Sequence, residues 1–436
     1  MIKIQLSLSL LLIWLSIEVT AQYSTTTLQN LPEAISNNAV SGYLDDTEQF
    51  VYTFGGIDAS KTASGIHNRC YKYNAAFDTW IPMPNLPQSP TRIAAAASTI
   101  KDTIYIIGGY HVFSNGNEQS SNLVHRFQVM ADTFLSNGTP IPKATDDHIQ
   151  AVYKDSLIFV VSGWSQTANI PNVQIYNPQL DTWLIGTSLP NTHEYKSFGA
   201  SGAIIGDTIY YFGGARMGSN FPIQNQLRKG YINPNNVIDI TWTIDTIHTD
   251  LVGYRMASFP DNHTIRWIGG SNATYNYNGI GYAGNIPVNP NRRILTYYPI
   301  TNTWDTTSLP EINMDFRGIA AFNNNIILVG GMDTNQTVSN RTLQINFTPN
   351  SVKDISTIDL KIYPNPSSNI ITIEWDKNEN PRSIEIYSME GKRMFTMNRI
   401  SQGLVTIPIT TFINGQYIVR IQFESEVSTT HFNVLK

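Results

Sequence analysis

Ile104-Tyr105-Ile106-Ile107-Gly108-Gly109 is a run of apolar, strand-forming residues that stops at a glycine pair. The pattern returns at Val51-Tyr52-Thr53-Phe54-Gly55-Gly56, Ile209-Tyr210-Tyr211-Phe212-Gly213-Gly214, Ile265-Arg266-Trp267-Ile268-Gly269-Gly270 and Ile327-Leu328-Val329-Gly330-Gly331. A sixth copy, Ile158-Phe159-Val160-Val161-Ser162-Gly163, carries serine in place of its first glycine. Successive copies lie 53, 54, 51, 56 and 61 residues apart. A period near fifty residues, built on short strands, marks a propeller blade, and each blade needs four strands.

Other landmarks supply those strands. Tyr73-Asn74 precedes Asp78-Thr79-Trp80, Tyr176-Asn177-Pro178 precedes Asp181-Thr182-Trp183, and Tyr298-Pro299 precedes Asn302-Thr303-Trp304. Tyr231 and Thr241-Trp242 follow the pattern more loosely, and Asp132-Thr133 is followed by Phe134 instead of Trp. Short polar side chains that bond back to the chain make such sites tight turns. The aromatics are expected to fill the wedge between neighbouring blades, where truncating a Trp costs roughly 3–5 kcal/mol. The strand after each turn runs into Leu86-Pro87, Leu189-Pro190 or Leu309-Pro310.

This combination of di-glycine, spaced Tyr and following Trp resembles the Kelch repeat over most of residues 22–349. The resemblance implies an all-β chain whose first domain is a closed six-bladed β-propeller. The last copy lacks a Trp strand, whereas Thr25-Thr26-Thr27-Leu28-Gln29-Asn30-Leu31-Pro32 ends in the same Leu-Pro. Residues 25–29 are therefore expected to pair with 343–347 and close the ring, removing exposed edges.

The two ends of the chain bear on compartment. Lys3, an apolar run from Leu6 to Ile17, and Val19-Thr20-Ala21 read as an export signal over residues 1–21. The run is too short to span a bilayer, and no transmembrane segment is expected once it is removed. A single cysteine, Cys70, precludes an internal disulfide framework. The net charge of −5 gives no push toward nucleic acid, so no nucleic-acid partner is expected. Residues 350–357 read as a linker. From 358 to 436 period-two alternation, as in Ile370-Ile371-Thr372-Ile373-Glu374-Trp375, predicts a small Ig-like β-sandwich. Within it Tyr363-Pro364-Asn365-Pro366, then Gly391-Lys392, then Gly415-Gln416-Tyr417 closely resemble a type IX secretion sorting domain of the type A class. That resemblance implies a Bacteroidetes-type bacterium and, as partners, the type IX machinery and its sortase-like processing protease. The product would be secreted or attached to the outer-membrane surface.

In a propeller the loops after the glycine pairs share one face with the loops leading into each innermost strand. Aligning the starts of those strands puts Arg92, His148, Lys196, Arg255 and Arg317 around one mouth of the central channel. Convergent cations there would focus a field on a carboxylate, phosphate or sulfate. Alternatively they bond blade-end carbonyls or pair with neighbours such as Asp147 and Asp315. The long loop 271–293 carries Tyr275, Tyr277 and Tyr282 among Asn and Gly, a composition suited to stacking on sugars or peptides. The expected function is non-covalent binding of an extracellular glycan or protein, with no cofactor and no metal. The alternative is an enzyme of the sialic acid mutarotase or epimerase kind, which some Kelch propellers are, with Glu194 beside Lys196 as acid–base candidate. Other Kelch propellers are copper-radical oxidases, but Cys70 lacks the distant tyrosine partner that they require, and His67, His111, His148 and His193 form no ligand motif.

Overall fold

The structure, a computed structural model, describes residues 23–45, 48–87, 90–245, 251–261, 263–323, 325–347, 360–375, 381–389, 392–398, 400, 403–423 and 427–436. The proposed export signal, the linker and Gly391 lie outside the described residues. The chain divides into two compact units, residues 1–349 and 350–436.

Six antiparallel sheets make up the first unit's blades, each with four strands along its main path, and the second blade's sheet carries a fifth short strand, Glu118–Ser120, beside its second strand. Blade one is Ala39–Asp45, Glu48–Ile57, Ile66–Asn74 and Thr79–Met83, and blades two to five repeat that order along the chain. Blade six takes three strands from its own repeat, Ala320–Ala321, Asn325–Val329 and Thr342–Phe347, and its outermost from the other end of the unit, Tyr23–Leu28. The pairing runs from Tyr23 opposite Phe347 to Leu28 opposite Thr342. Gln29 continues this closure, its carbonyl accepting from the Trp80 indole at 2.9 Å in blade one.

The glycine pairs are points of close approach. A Cβ on Gly108 would sit 2.3 Å from the Thr145 carbonyl oxygen on the way into blade three, and one on Gly330 would sit 2.2 Å from that of Ile35. Both glycines hold positive φ, 68° and 69°. Ser162 adopts φ 54° at the equivalent place. Its hydroxyl lies 3.0 Å from the Ile170 and Ser197 carbonyls and accepts the Ser197 N–H, which explains how a non-glycine residue is tolerated there.

The Tyr–Asp–Trp spacing has an equally local cause. The hydroxyls of Tyr73, Tyr176 and Tyr297 donate to the turn residues Asp78, Asp181 and Asn302 at 2.6, 2.5 and 2.9 Å. Those turn residues sit at positive φ, where Asp and Asn are least strained. Trp183 and Trp242 then reach the preceding inter-blade segments, donating to the carbonyls of Thr139 and Thr187. Apolar clusters between sheets, such as Tyr52, Phe54, Ile104, Ile106 and Phe127, form the core.

The second unit is a sandwich of two sheets. One is Lys361–Tyr363, Ile370–Glu374 and Leu404–Pro408; the other is Arg393–Asn398, Ser383–Ser388, Gly415–Gln422 and Val427–Val434. Ile371, Ile373, Trp375, Ile386, Val419 and Phe432 fill the space between them.

Candidate functional site

One residue at the entry to each innermost strand has positive φ: Asn37, Ala94, Asp147, Gly199, Arg255 and Asp315. They form a hydrogen-bonded ring around the channel. The N–H groups of Asn37, Asp147, Gly199 and Arg255 donate to the carbonyls of Asp315, Ala94, Asp147 and Gly199 respectively. Phe316 N–H donates to Arg255 O, and Ala94 N–H closes the circle on the Asn37 side-chain oxygen at 2.9 Å.

The expected ring of like charge is corrected by this register. Of the five basic residues only Arg255 occupies a ring position. Arg92 lies two residues before Ala94, His148 one after Asp147, Lys196 three before Gly199 and Arg317 two after Asp315. The ring itself carries carboxylates, and they neutralise the guanidinia. Arg255 spans the channel to Asp147 at 2.8 Å and Asp315 at 3.2 Å, while Arg317 pairs with Asp147 at 3.3 Å and donates to the His148 carbonyl. All four side chains are at most 3% exposed. Burial raises the carboxyl pKa of Asp315 and would do the same to Asp147, but Arg255 and Arg317 together hold Asp147 below the ordinary range. Asp315 has one guanidinium and the Ser36 hydroxyl, and burial prevails there. Burial works against the Arg255 charge, yet Asp147, Tyr254 and Asp315 keep it firmly protonated.

Of the remaining basic residues, Arg92 is also engaged. Arg92 is buried against His125 at 3.1 Å, and burial lowers its pKa to about 10. Lys196 is half-buried in the loop before blade four. A further set of clamps gave no motif in the sequence. Arg228 donates to the Glu194 carbonyl, Gln174 to that of Lys143 and Arg341 to that of Glu311, so third strands repeatedly hold the loop that enters their blade. For Arg228 and Gln174 the signal that could have found them is a polar residue directly after the first apolar residue of the third strand, whereas Arg341 lies just before its strand.

Loop 271–293 differs from an exposed stacking platform. Tyr275 is fully buried, its ring 5.3 Å from the Arg255 guanidinium and 5.1 Å from the Tyr254 ring, which it meets edge-on, and its hydroxyl is 3.3 Å from Asp315. Tyr277 packs against Ile57, Ile66 and Tyr110 of blades one and two. Tyr282 meets the Phe221 ring at 4.7 Å. The blade-five loop thus crosses the mouth and caps the Arg255 layer. Beneath that layer the channel is a space of about 300 Å³ lined by Ser41, Ser98, Gln150, Ser201 and Ser258, with His148 and Arg317 also in its lining.

Concavity on the loop face lies away from the axis. A cleft of about 640 Å³ separates the blade-four loop from the blade-five loop, walled by Pro222, Ile223, Ile286, Pro287 and Val288 with Asn220, Asn272 and Asn289 among its lining residues. Glu194 is exposed, and its neighbour Lys196 donates its N–H to the Thr192 carbonyl. Cys70 is buried, which pushes its thiol up to about 12. Among the described residues no group of three or more His, Cys, Asp and Glu side chains could hold a metal ion.

In the second unit the Tyr363-Pro364-Asn365-Pro366 turn clasps the last strand. The Asn365 side-chain oxygen accepts the Asn433 N–H at 2.9 Å, and Ser367 exchanges main-chain bonds with Asn433 and Leu435. Tyr363 is exposed and donates to Glu374 at 3.1 Å. Gly415 opens the strand on which Tyr417 is buried, its hydroxyl bonded to both main-chain groups of Ile413.

Residues 361–435 match the family of secretion system C-terminal sorting domains. Among curated proteins the chain is similar to Kelch-like protein 36 of Bos taurus, 22% identical over 307 residues that cover 69% of this chain and 45% of the relative. It is also similar to Kelch-like protein terF of Aspergillus terreus, 25% identical over 146 residues, covering 31% of this chain and 30% of that one. The chain thus spans about half, or less, of the length of these relatives. The solved structure of YjhT superposes with a TM-score of 0.59 at 15% identity, covering 74% of this chain and 98% of that one, a likeness of fold. The first unit is a Kelch-type propeller, and the second is a type IX sorting domain that implies a secreted or outer-membrane surface-attached protein.

Proposed function

We propose that the chain is an exported binding protein whose glycine-pair loop face holds an extracellular polypeptide or glycan without covalent chemistry. The observation that carries this reading is the cleft between the blade-four and blade-five loops. Its concave, largely aliphatic walls, lined also by a few amides, have the make-up of a recognition pocket. The axial mouth is a poorer candidate, because its guanidinia are already neutralised by Asp147 and Asp315. A sorting tail delivers such a face to the cell exterior, where partners of this kind are met.

Peptide and glycan arrays probed with the secreted chain test the proposal. Saturable binding that Ile286→Asp weakens at least tenfold is the expected result, since Ile286 is exposed on the cleft wall and its loss leaves the fold intact. Absence of any saturable partner overturns it. So does a change in sialic acid anomer composition by NMR in the presence of the protein, which would favour the enzyme reading.

A further inference from the structure

Blade two departs from its neighbours just past the glycine pair. Its second strand runs on to Val112 and returns as Glu118–Ser120, with Tyr110 opposite Ser120, His111 opposite Gln119 and Val112 opposite Glu118. Phe113 N–H donates to Asn117 O and Gly116 N–H to Phe113 O, both at 2.8 Å, and these bonds close the tip. Gln166 of blade three stands beside it at the end of a two-residue hairpin. The groove between them measures about 510 Å³ and is lined by Phe113, Asn115, Asn117, Glu118, Gln119 and Gln166.

We propose that this groove binds a saccharide, and specifically a neutral one. The proposal rests on the binding role above but uses a separate part of the loop face. Sugar hydroxyls donate and accept at once, and carboxamides and a carboxylate answer both needs. The apolar face of a sugar ring needs a flat, fixed surface. Phe113 is 40% exposed, and the His111 ring meets it edge-on with centroids 4.3 Å apart. Gln166 is fixed as well. It holds φ 57°, its N–H donates to Ser120 Oγ at 2.9 Å, its side-chain amide donates to Ser120 O at 3.3 Å, and its carbonyl accepts from the Trp164 indole. No described residue donates to its amide oxygen or to the Glu118 carboxylate. Glu118 is exposed yet surrounded by protein mass, as a group on a concave wall is, and burial raises its carboxyl pKa.

Charge selects the sugar class. The lining includes one carboxylate and neither Lys nor Arg. An acidic sugar brought beside Glu118 would meet like-charge repulsion that no cation of the lining offsets. An extended polypeptide is disfavoured because the floor offers no aliphatic pocket for a side chain.

Isothermal titration of the secreted chain with maltohexaose, cellohexaose, xylohexaose and chitohexaose tests this, with sialyllactose as the acidic comparator. At least one neutral hexasaccharide should bind saturably, and Phe113→Ala and Gln166→Ala should each weaken it tenfold or more. Sialyllactose should not compete. Binding by none of the four, or binding indifferent to both substitutions, overturns the proposal. Unchanged circular dichroism melts keep any loss from being read as unfolding. Should Ile286→Asp abolish binding of an array partner while none of the four hexasaccharides binds, the loop-face reading stands and the saccharide groove falls.

Discussion

The Arg255 guanidinium lies 2.8 Å from the Asp147 carboxylate, although the two residues are 108 positions apart, in blade five and at the entry to blade three. With Asp315 on its other side, Arg255 ties three blades together across the axis. Removing one partner of a buried pair strands the other charge, which typically costs about 3–5 kcal/mol. Arg255→Met should therefore lower the unfolding free energy by about that much in a urea titration. Lys196→Ala, at a half-buried loop site, should stay within about 0.5 kcal/mol. Equal costs for the two would mean that the ring does not carry stability.

The strand Tyr23–Leu28 is the outermost strand of blade six, and Gln29 bonds blade one through Trp80 and Asp78. Deleting residues 22–32 opens the ring and leaves Thr342–Phe347 as a bare edge. A sharply lowered melting temperature and new proteolytic cuts near residue 345 are expected. A melt like that of the intact chain would show that closure is dispensable.

The two architectural layers were not equally legible in the sequence. Blade number could be counted because Gly108 and Gly330 meet a neighbouring carbonyl at distances that only glycine permits, so their identity is constrained. Tyr73, Asp78 and Trp80 were legible for a similar reason, each bonding within a few residues or to the adjacent blade. The axial ring left no such trace. Its six positions hold Asn, Ala, Asp, Gly, Arg and Asp, because five of the six bonds that build it use the main chain alone and only the one to the Asn37 side chain depends on a residue type. An alignment on basic residues therefore misses the ring by one to three positions everywhere but at Arg255, and Asp147 and Asp315 are readable as partners while the guanidinium that each meets is decided across blades. Loop 271–293 was readable as long and aromatic, while its path across the mouth depends on contacts with Ile57 and Tyr110 some two hundred residues away.

Buried histidines set a pH dependence. Burial, then the Arg317 charge, lowers the pKa of His148 from 6.5 to about 4. The unfolded chain binds this proton below about pH 6.5 and the folded chain does not, so stability is complete above that pH and declines as the pH falls to about 4. Each such histidine contributes a slope of about 1.4 kcal/mol per pH unit in that window. His67 and His125 are shifted to about 4 as well, chiefly by burial. Asp146, whose carboxyl burial raises well above the ordinary range, works in the opposite direction and offsets part of the decline. His148→Gln isolates one contribution. The stability gap between wild type and variant should narrow by about 1.4 kcal/mol per unit from pH 6.5 to pH 4, whereas a constant gap would mean that His148 takes up its proton in the folded state.

Gly108 and Gly116 separate contact from conformation. Both hold positive φ, 68° and 83°, but a Cβ on Gly116 meets nothing within 4 Å while one on Gly108 strikes the Thr145 carbonyl. Gly116→Ala should cost about 1 kcal/mol, the strain of the conformation alone. Gly108→Ala should cost clearly more, because the neighbouring blade must retreat. Chemical denaturation of the two variants checks the ordering, and a reversed order would remove the close approach as the reason for the glycine pair.

The sorting unit makes a prediction that is independent of the propeller. Asn365 accepts the Asn433 N–H, and Ser367 forms a parallel bridge to Val434, so the Tyr-Pro-Asn-Pro turn fixes where the last strand ends. Tyr417 holds the segment before that strand's partner through both main-chain groups of Ile413. If this unit is what the secretion machinery reads, residues 350–436 fused to a periplasmic reporter should carry it out of a host that has a type IX system. Asn365→Ala removes that bond at an exposed site, where water can take the acceptor's place, so it should cost no more than about 1 kcal/mol. In a domain of fewer than ninety residues the total stability is small, so export of the variant fusion should fall only in proportion to its folded fraction. Tyr363→Phe removes only an exposed bond to Glu374 and should leave the fold unchanged. A loss of export in that variant would therefore mark Tyr363 as a contact of the machinery, and retention of the unmutated fusion in the periplasm would refute the sorting role.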